Sequence, residues 1–258
     1  MKKTTPFKSA AAFETEMTSF ANKFKVILAE HSKRISDYFE ISCYHLIIRY
    51  YENIGYQLEV QNLRGGKYRY KCSPIGLLRN FSYFKATKTD KQGQADTVYL
   101  YHNATVQSSF DDKVFTTPDI VVSKTDTPRE STDYYLTKKK MSYISKENLI
   151  TFCEAKHLMP FPELMVGFIG TVMELKPSCI NGTVEDPNTE HIAPSLMMSG
   201  TFSKPTKRIR ESLEQRYYVN LFDNLFDSAG EFCVVSKTRI GENATLGRKS
   251  KRGISFHV

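Results

Sequence analysis

The chain has 258 residues, of which 40% are hydrophobic and 25% charged, and its formal net charge is +8. These values are ordinary for a globular protein with a sizeable core, so they argue against a largely disordered chain. No stretch is long and apolar enough to predict a membrane-spanning helix. The positive charge suits a polyanionic partner such as nucleic acid, although it does not prove one.

The cysteines and the N-terminal residues indicate the cellular compartment in which the protein is expected. The five cysteines are far apart and form no C-x-x-C pair, so the sequence predicts neither a zinc ribbon nor a disulfide framework. A reducing, cytoplasmic setting fits this pattern best. Met1-Lys2-Lys3 is basic, but Glu14 and Glu16 interrupt the chain before any adequate apolar region, which argues against a signal peptide.

Apolar residues at helical spacing predict two helices near the N terminus. The first covers roughly residues 9–32, and the second covers residues 35–53 with Gly55 placed to end it. Glu40 is expected in the first turn of the second helix. It is there either as a partner of the helix dipole or as part of a site, and both readings stay open.

Alternating residues then predict strands. A hairpin is expected over residues 56–60 and 68–71, closed by Gly65-Gly66, because paired glycines permit a tight turn. Three more strands are predicted over residues 81–87, 97–106 and 118–123, the last led by Asp119. Residues 124–148 are polar and are predicted as an excursion between two central strands.

The next strand carries an unusual pair of charges. Residues 150–157 read Ile-Thr-Phe-Cys-Glu-Ala-Lys-His, an apolar run that ends in an acid and a base. Side chains alternate along a strand, so Glu154 and Lys156 point to the same face. Charges rarely enter such a position without a partner. If the strand of Asp119 were its neighbour, Asp119, Glu154 and Lys156 would meet on one face of the sheet.

The rest of the chain predicts further alternation of helices and strands. A helix that begins near Pro160–Glu163 is apolar on nearly every side over residues 164–175, which predicts burial, and Gly167 and Gly170 suggest close packing. A strand (195–200), a charged helix (207–223), a strand (232–235) and a mobile basic tail should follow. No repeat or linker is evident, so a single domain is the simplest arrangement.

Pro118-Asp119 and Glu154-Ala155-Lys156, with Glu40 on a preceding helix and a buried helix after them, resemble the PD-(D/E)XK nuclease superfamily. The resemblance covers roughly residues 36–200. It implies an α/β fold in which helices flank a central mixed β-sheet, the restriction-endonuclease-like αβββαβ core. Residues 1–35, an N-terminal helix, and residues 201–258, a helix, strand and basic tail, would be elaborations. The separation of Asp119 from Glu154 is longer than in compact members, so residues 124–148 must loop out.

The same resemblance implies a site and an activity. Asp119, Glu154 and Lys156 would be catalytic with Glu40 in support, and Asp119, Glu154 and Glu40 would bind Mg²⁺ or Mn²⁺. The implied activity is hydrolysis of phosphodiester bonds in nucleic acid, with DNA favoured, in restriction, phage defence or repair. A homodimer or a partner protein would fit such a role, and a membrane would not. Candidate nucleic-acid contacts are Lys138, Lys139, Lys140, His157, Arg208 and Arg210.

Plainer readings remain open at this point. Glu154 and Lys156 could form a simple ion pair on a sheet, with Asp119 as a cap at a strand start, and the lysine run 138–140 could be a solvated face. A non-catalytic nucleic-acid-binding or assembly subunit on the same fold is the main alternative. Glycine-rich phosphate loops, the G-x-S-x-G elbow and dinucleotide fingerprints are absent from the sequence, which argues against those enzyme classes.

Overall fold

The computed structural model describes residues 35–74, 76–131, 140–182, 191–225, 248–250 and 253–255. The helix predicted over residues 9–32, the strand predicted over residues 232–235, and Lys138 and Lys139 lie outside this part of the chain. Among the described residues, no helix has the length and apolar character that a membrane span requires.

The described chain is mixed α/β, as the sequence predicts. Its elements follow in the order α1 (Ile35–Asn53), β1 (Gln57–Gln61), β2 (Tyr83–Thr89), β3 (Ala95–His102), β4 (Thr105–Gln107), β5 (Phe115–Thr116), β6 (Ile120–Ser123), β7 (Arg129–Ser131), β8 (Met141–Ile144), β9 (Leu149–Lys156), α2 (Pro162–Leu175), α3 (Ser178–Asn181), β10 (Ser195–Met198), α4 (Lys204–Arg216), β11 (Asn220–Phe222), β12 (Arg248–Ser250) and β13 (Gly253–Ser255).

The central sheet has seven strands in the order β1-β2-β3-β6-β9-β10-β11. Neighbours from β1 to β9 are antiparallel, whereas β9, β10 and β11 are mutually parallel. The two parallel connections carry α2 and α4, because a parallel crossover needs an element long enough to return the chain to the same end of the sheet. The predicted mixed sheet is therefore confirmed.

Helices cover both faces of this sheet. On one face α1 packs against alternate residues of the central strands, including Ile120, Val122 and Cys153. On the other face the buried sides of α2 and α4 pack against the intervening residues, including Val121 and Phe152. Strands that are buried on both faces read as continuous apolar runs, which explains the sequences of β6 and β9.

The predicted hairpin between residues 56–60 and 68–71 is wrong in its pairing. The turn itself forms, since Arg64 and Lys67 bridge across Gly65 and Gly66, whose φ angles are 58° and 74°. Residues 68–71 are not a strand, however, and β1 pairs with β2. Burial explains the difference, because the side chains of Tyr68, Tyr70 and Lys71 are all buried and residue 69 makes its backbone hydrogen bonds to Ser82.

The predicted strand over residues 97–106 is broken at Asn103, whose φ is 51°. The break sends β4 out of the central sheet and into a second sheet with the order β5-β4-β8-β7. Residues 124–148 are consequently not a polar excursion alone, because β7 and β8 lie within them. The long separation between β6 and β9 is occupied in part by this second sheet.

The apolar helix α2 is buried on one side only, so the expectation of burial on nearly every side is wrong. Met165, Phe168 and Val172 are buried, but Val166 is 60% exposed and Met173 is 37% exposed. Gly167 and Gly170 do not mark close packing, since a Cβ added at either would have nothing within 4 Å.

The predicted helix over residues 207–223 is shorter and begins earlier. α4 begins after Ser203, whose side chain accepts a hydrogen bond from the backbone of Thr206, and it ends at Arg216. The rest of the predicted segment forms the strand β11, in which Asn220 pairs with Ser195 of β10. Leu221 therefore belongs to the sheet and not to the apolar stripe of a helix.

Gly200, between β10 and α4, should be intolerant of any side chain. A Cβ there would lie 2.6 Å from the Cα of Met159 and 2.8 Å from the carbonyl oxygen of Leu158. Both neighbours are backbone, which cannot move aside cheaply. We expect Gly200→Ala to reduce the free energy of unfolding by about 1–3 kcal/mol. Gly170→Ala is the matched control and should stabilise α2 by about 0.5–1 kcal/mol, since it adds a better helix former in open space. Urea unfolding of both variants measures the difference, and equal stability would contradict the close approach.

Candidate functional site

The strands β6 and β9 bring two of the predicted site residues together. Ile120 pairs with Cys153, which places Asp119, the residue before β6, beside Glu154 at the end of the pairing. Oδ2 of Asp119 accepts a hydrogen bond from the backbone N–H of Ala155 at 2.7 Å. The carboxylate of Asp119 is therefore held directly against the Glu154-Ala155-Lys156 segment.

Lys156 joins the two carboxylates. Its Nζ lies 2.9 Å from Oδ2 of Asp119 and 2.8 Å from Oε2 of Glu154. The side chain of Lys156 is 35% exposed, whereas those of Asp119 and Glu154 are 10% and 15% exposed. The ammonium thus lies at the boundary between two nearly buried carboxylates and the solvent.

Glu40 approaches this cluster from α1. It is not in the first turn of the helix, where the only acid is Asp37, so its expected role as a partner of the helix dipole is not supported. Burial and the nearby carboxylate of Asp119 raise the pKa of Glu40 to about 7, while Lys156 and a hydrogen bond to Asn103 oppose the rise. Glu40, Asp119, Glu154 and Lys156 therefore form one electrostatic unit, which we call the acidic cluster.

The acidic cluster carries more negative than positive charge when its carboxylates ionise. Burial and the charge of Asp119 raise the pKa of Glu154, and the ammonium of Lys156 offsets this only in part. For Lys156 itself, burial lowers the pKa, but the attraction of Asp119 and Glu154 outweighs burial and raises it. Lys156 remains charged, and a single ammonium faces three carboxyl groups. Such an imbalance in a partly buried place attracts a cation.

Asn103 supports the acidic cluster, and the sequence reasoning missed it. Its backbone N–H donates to the carbonyl oxygen of Asp119 at 2.8 Å, and its side chain hydrogen-bonds to Glu40. The left-handed φ at Asn103 makes both contacts possible, and asparagine adopts this conformation more readily than most residues. The signal in the sequence was an Asn after His102 inside an otherwise apolar strand.

Lys71 holds Asn103 in turn. Its side chain is almost fully buried, and Nζ donates to the carbonyl oxygens of Ser73 at 2.7 Å, Pro74 at 2.9 Å and Asn103 at 2.7 Å. Burial lowers the pKa of Lys71 to about 8. Three carbonyl acceptors satisfy the three N–H donors of the ammonium, which makes its burial tolerable. No pattern in the sequence singles out Lys71, since two of its acceptors are backbone carbonyls of the next few residues and the third, Asn103, is distant in the chain.

The predicted nucleic-acid contacts that the structure describes differ in their surroundings. His157 lies beside the cluster, with Nδ1 2.9 Å from Oγ of Ser199 and its ring 5.8 Å from that of Phe39. Arg210 faces Glu214 at 3.4 Å and Asp223 at 3.7 Å, so its charge is already paired within the fold. Arg208 and Lys140 are exposed.

The chemistry of the donor atoms decides which cation the acidic cluster could hold. In the part of the chain that the structure describes, no three His, Cys, Asp or Glu side chains converge closely enough to hold an ion by themselves. Its donor set is nevertheless all carboxylate oxygen, which suits Mg²⁺ or Mn²⁺, and Mg²⁺ commonly binds one or two carboxylates and keeps several waters. The residues present therefore fit a hydrated hard cation and do not fit zinc, which prefers nitrogen and sulfur ligands.

Comparison with known proteins identifies no relative of this chain. No protein-family model, curated protein or solved structure matches the chain.

Replacing Glu40 should change how stability depends on pH. The carboxyl keeps its proton in the folded chain up to about pH 7, whereas its ordinary pKa is 4.5. The folded state therefore binds more protons between these values, and stability falls as pH rises through this window. In EDTA, we expect Glu40→Gln to be more stable than the wild type by on the order of 1–3 kcal/mol at pH 8, with a smaller difference at pH 5.

Urea unfolding of the two proteins at both pH values measures this effect. Glu211→Gln is the control, because Glu211 is an exposed helical glutamate on α4. A gain for Glu40→Gln that is equal at the two pH values would contradict the burial of Glu40 beside Asp119.

Proposed function

We propose that the protein is a metal-dependent nuclease that hydrolyses phosphodiester bonds of nucleic acid, with DNA as the favoured substrate. The observation that carries the proposal is the ammonium of Lys156 placed between the carboxylates of Asp119 and Glu154. A lysine at the mouth of a carboxylate pair suits phosphodiester hydrolysis, since oxygen ligands can hold a cation and an ammonium can stabilise the phosphoryl oxygens.

The order of elements supports a restriction-endonuclease-like core. α1 precedes three antiparallel neighbours, β3, β6 and β9, and α2 then leads to β10, which is parallel to β9. This is the αβββαβ order that the resemblance to the PD-(D/E)XK superfamily implies. In that reading Asp119, just before β6, and the Glu154–Lys156 pair on β9 belong to adjacent central strands, and β7 and β8 lie in the insertion between them.

Each residue has a role in this proposal. Asp119 and Glu154 would bind Mg²⁺ or Mn²⁺, and Glu40 would complete the site directly or through water. The bound cation would lower the pKa of a water and neutralise phosphate charge. Lys156 would orient the attacking water or stabilise charge on the phosphoryl oxygens, which its partial exposure allows. Asn103 would hold Glu40 and the backbone of Asp119 in place.

The charge of the acidic cluster explains why a cation would be required. A phosphodiester is an anion, and three carboxylates with one ammonium repel it. A divalent cation would cancel the net negative charge of the cluster, so substrate binding near Lys156 and cation binding should go together. The biological setting that the resemblance implies, restriction, phage defence or repair, is part of the same proposal.

A non-catalytic nucleic-acid-binding subunit is the second candidate. The observation that favours it is that Lys156 already pairs with both carboxylates, so the cluster can be satisfied as an ion-pair network without a metal. In that case Asp119 and Glu154 would stabilise the fold and would not act on a substrate.

A cleavage assay separates the two candidates. Supercoiled plasmid and single-stranded RNA are incubated with Mg²⁺ or Mn²⁺ and the wild-type chain, and nicking is followed on gels. We expect Asp119→Asn, Glu154→Gln and Lys156→Gln each to lower the rate about 100-fold or more, because each removes charge from the reacting centre. Lys91→Gln, an exposed lysine in the β2–β3 turn, is the control and should cut like the wild type. An uncut substrate with the wild type under both metals would make the nuclease proposal wrong.

Binding of the cation can also be measured without substrate. We expect Mg²⁺ at about 10 mM to raise the melting temperature of the wild-type chain at pH 8, because a ligand that binds only the folded state stabilises it. Asp119→Asn should lose most of this rise. Thermal unfolding with Mg²⁺ or with EDTA measures it, and Glu211→Gln, on the surface of α4, is the control. An equal rise in Asp119→Asn would place the cation elsewhere.

A further inference from the structure

The helix α4 carries a row of exposed cations on one side. Lys204, Arg208, Ser212 and Arg216 follow one another at intervals of four residues, which places them along one side of a helix. These four residues line an open groove together with Pro205 and Ile209. The two acids of the helix, Glu211 and Glu214, do not line it. We call Lys204, Arg208, Ser212 and Arg216 the basic row.

The cations of the basic row differ from Arg210 on the same helix. Arg210 is paired with Glu214 and Asp223 and lies over the ring of Phe202. Within the described residues, no carboxylate forms an ion pair with Lys204, Arg208 or Arg216. Arg216 is instead oriented by Tyr217, whose hydroxyl accepts a hydrogen bond from Nη1 at 3.0 Å. The row therefore presents positive charge that the fold itself does not neutralise.

The basic row begins at the same end of the sheet as the acidic cluster. β10 runs parallel to β9, and Met198 pairs with Lys156. Just beyond this pair, Ser199 contacts His157 and the N–H of Gly200 donates to the carbonyl oxygen of Leu158 at 3.1 Å. α4 starts four residues later, so Lys204 is the member of the row nearest to the cluster along the chain.

The length of the row suits a nucleic-acid backbone. Twelve residue steps separate Lys204 from Arg216, which at 1.5 Å per residue is about 18 Å. A duplex with a rise of about 3.4 Å per base pair presents about five base pairs over this distance. Arginine binds a phosphate through two parallel N–H groups, and a serine hydroxyl is a common additional donor.

We infer that the basic row binds the phosphate backbone of a nucleic-acid duplex and leads it to the acidic cluster. The inference rests on the proposed function for its choice of partner, and it assigns that partner a surface. The contacts are to phosphate, so the row gives affinity and orientation without sequence preference. Binding through it must weaken steeply as salt rises, because each neutralised phosphate releases counterions.

The experiment measures binding apart from cleavage. A fluorescein-labelled 24-base-pair duplex is titrated with the full chain in EDTA, and anisotropy is recorded from about 50 to 200 mM NaCl. The test variant is the triple substitution Lys204→Gln, Arg208→Gln and Arg216→Gln. We expect its affinity near 150 mM salt to be about 10- to 100-fold weaker, and the slope of log K against log salt to be smaller by about 2–3.

Two further variants make the result specific. The control triple Lys91→Gln, Lys113→Gln and Lys124→Gln changes the net charge equally, at exposed lysines on loops away from α4. It should bind within about threefold of the wild type, since it leaves the row intact. Lys204→Arg, Arg208→Lys and Arg216→Lys together keep the charge of the row and should restore most of the affinity. Circular dichroism melting of each variant verifies that α4 remains folded.

Each outcome decides the inference. It is supported if only the row triple loses affinity and the charge-conserving triple regains it. It is overturned if the wild type does not bind duplex, if the row triple binds like the wild type, or if both glutamine triples lose affinity equally. Because EDTA prevents metal-dependent cleavage, binding through the row can hold while the nuclease proposal fails. Metal-dependent cleavage that the row triple performs at the wild-type rate leaves the nuclease proposal standing and overturns the inference.

Discussion

The register between β6 and β9 is the constraint on which the site depends. Ile120 opposite Cys153 and Val121 opposite Phe152 place Asp119 against the Glu154–Lys156 segment. A slip by one residue would send the side chain of Asp119 to the other face, because strand side chains alternate. Both faces of these strands are buried, Ile120 and Cys153 under α1 and Val121 and Phe152 under α2 and α4. The packing of two cores therefore fixes the geometry of one charged cluster.

Ionising all the carboxyl groups of the acidic cluster costs the fold free energy. Glu40 and Glu154 both have raised pKa values because burial and Asp119 disfavour their ionised forms. Replacing buried ionic groups with packed apolar ones is often neutral or stabilising, so a cluster of this kind is weak evidence for a structural role. Around it the chain uses a buried lysine, Lys71, and a left-handed asparagine, Asn103, to hold its members. Such local strain and desolvation are typical of sites where function, and not stability, sets the sequence.

The sequence predicts those parts of the fold and of the acidic cluster that are determined by residues close together in the chain. α1, β9, α2 and β10 follow from periodicity within each segment, and the meeting of Asp119 with Glu154 followed from alternation once their strands were neighbours. The break at Asn103, the second sheet and the pairing of β1 with β2 depend on contacts between distant residues, which periodicity does not carry. The contact of Lys71 with the carbonyl oxygen of Asn103 is a further case, because Asn103 lies 32 residues later, beyond two strands. The helix predicted over residues 207–223 is wrong at its C-terminal end for a similar reason. Leu221 has the spacing of a helical apolar stripe, but it pairs with β10 as part of a strand.

The two faces of the sheet contribute differently to the proposed chemistry. Phe152, Glu154 and Lys156 are two residues apart on β9, so they lie on the face of the sheet that α2 and α4 cover. Glu40 belongs to α1, which packs on the opposite face. Exposed Leu158, Met159 and Phe161 follow directly after the site strand and border the same open end. A polyanion that arrives along α4 would therefore meet Lys156 first. Glu40 is only partly buried and interacts with Asp119, Lys156 and Asn103, so it affects the charge of the carboxylates from the α1 side. The acidic cluster thus draws on both layers of helices around one sheet, with Lys156 in contact with both of its strand carboxylates.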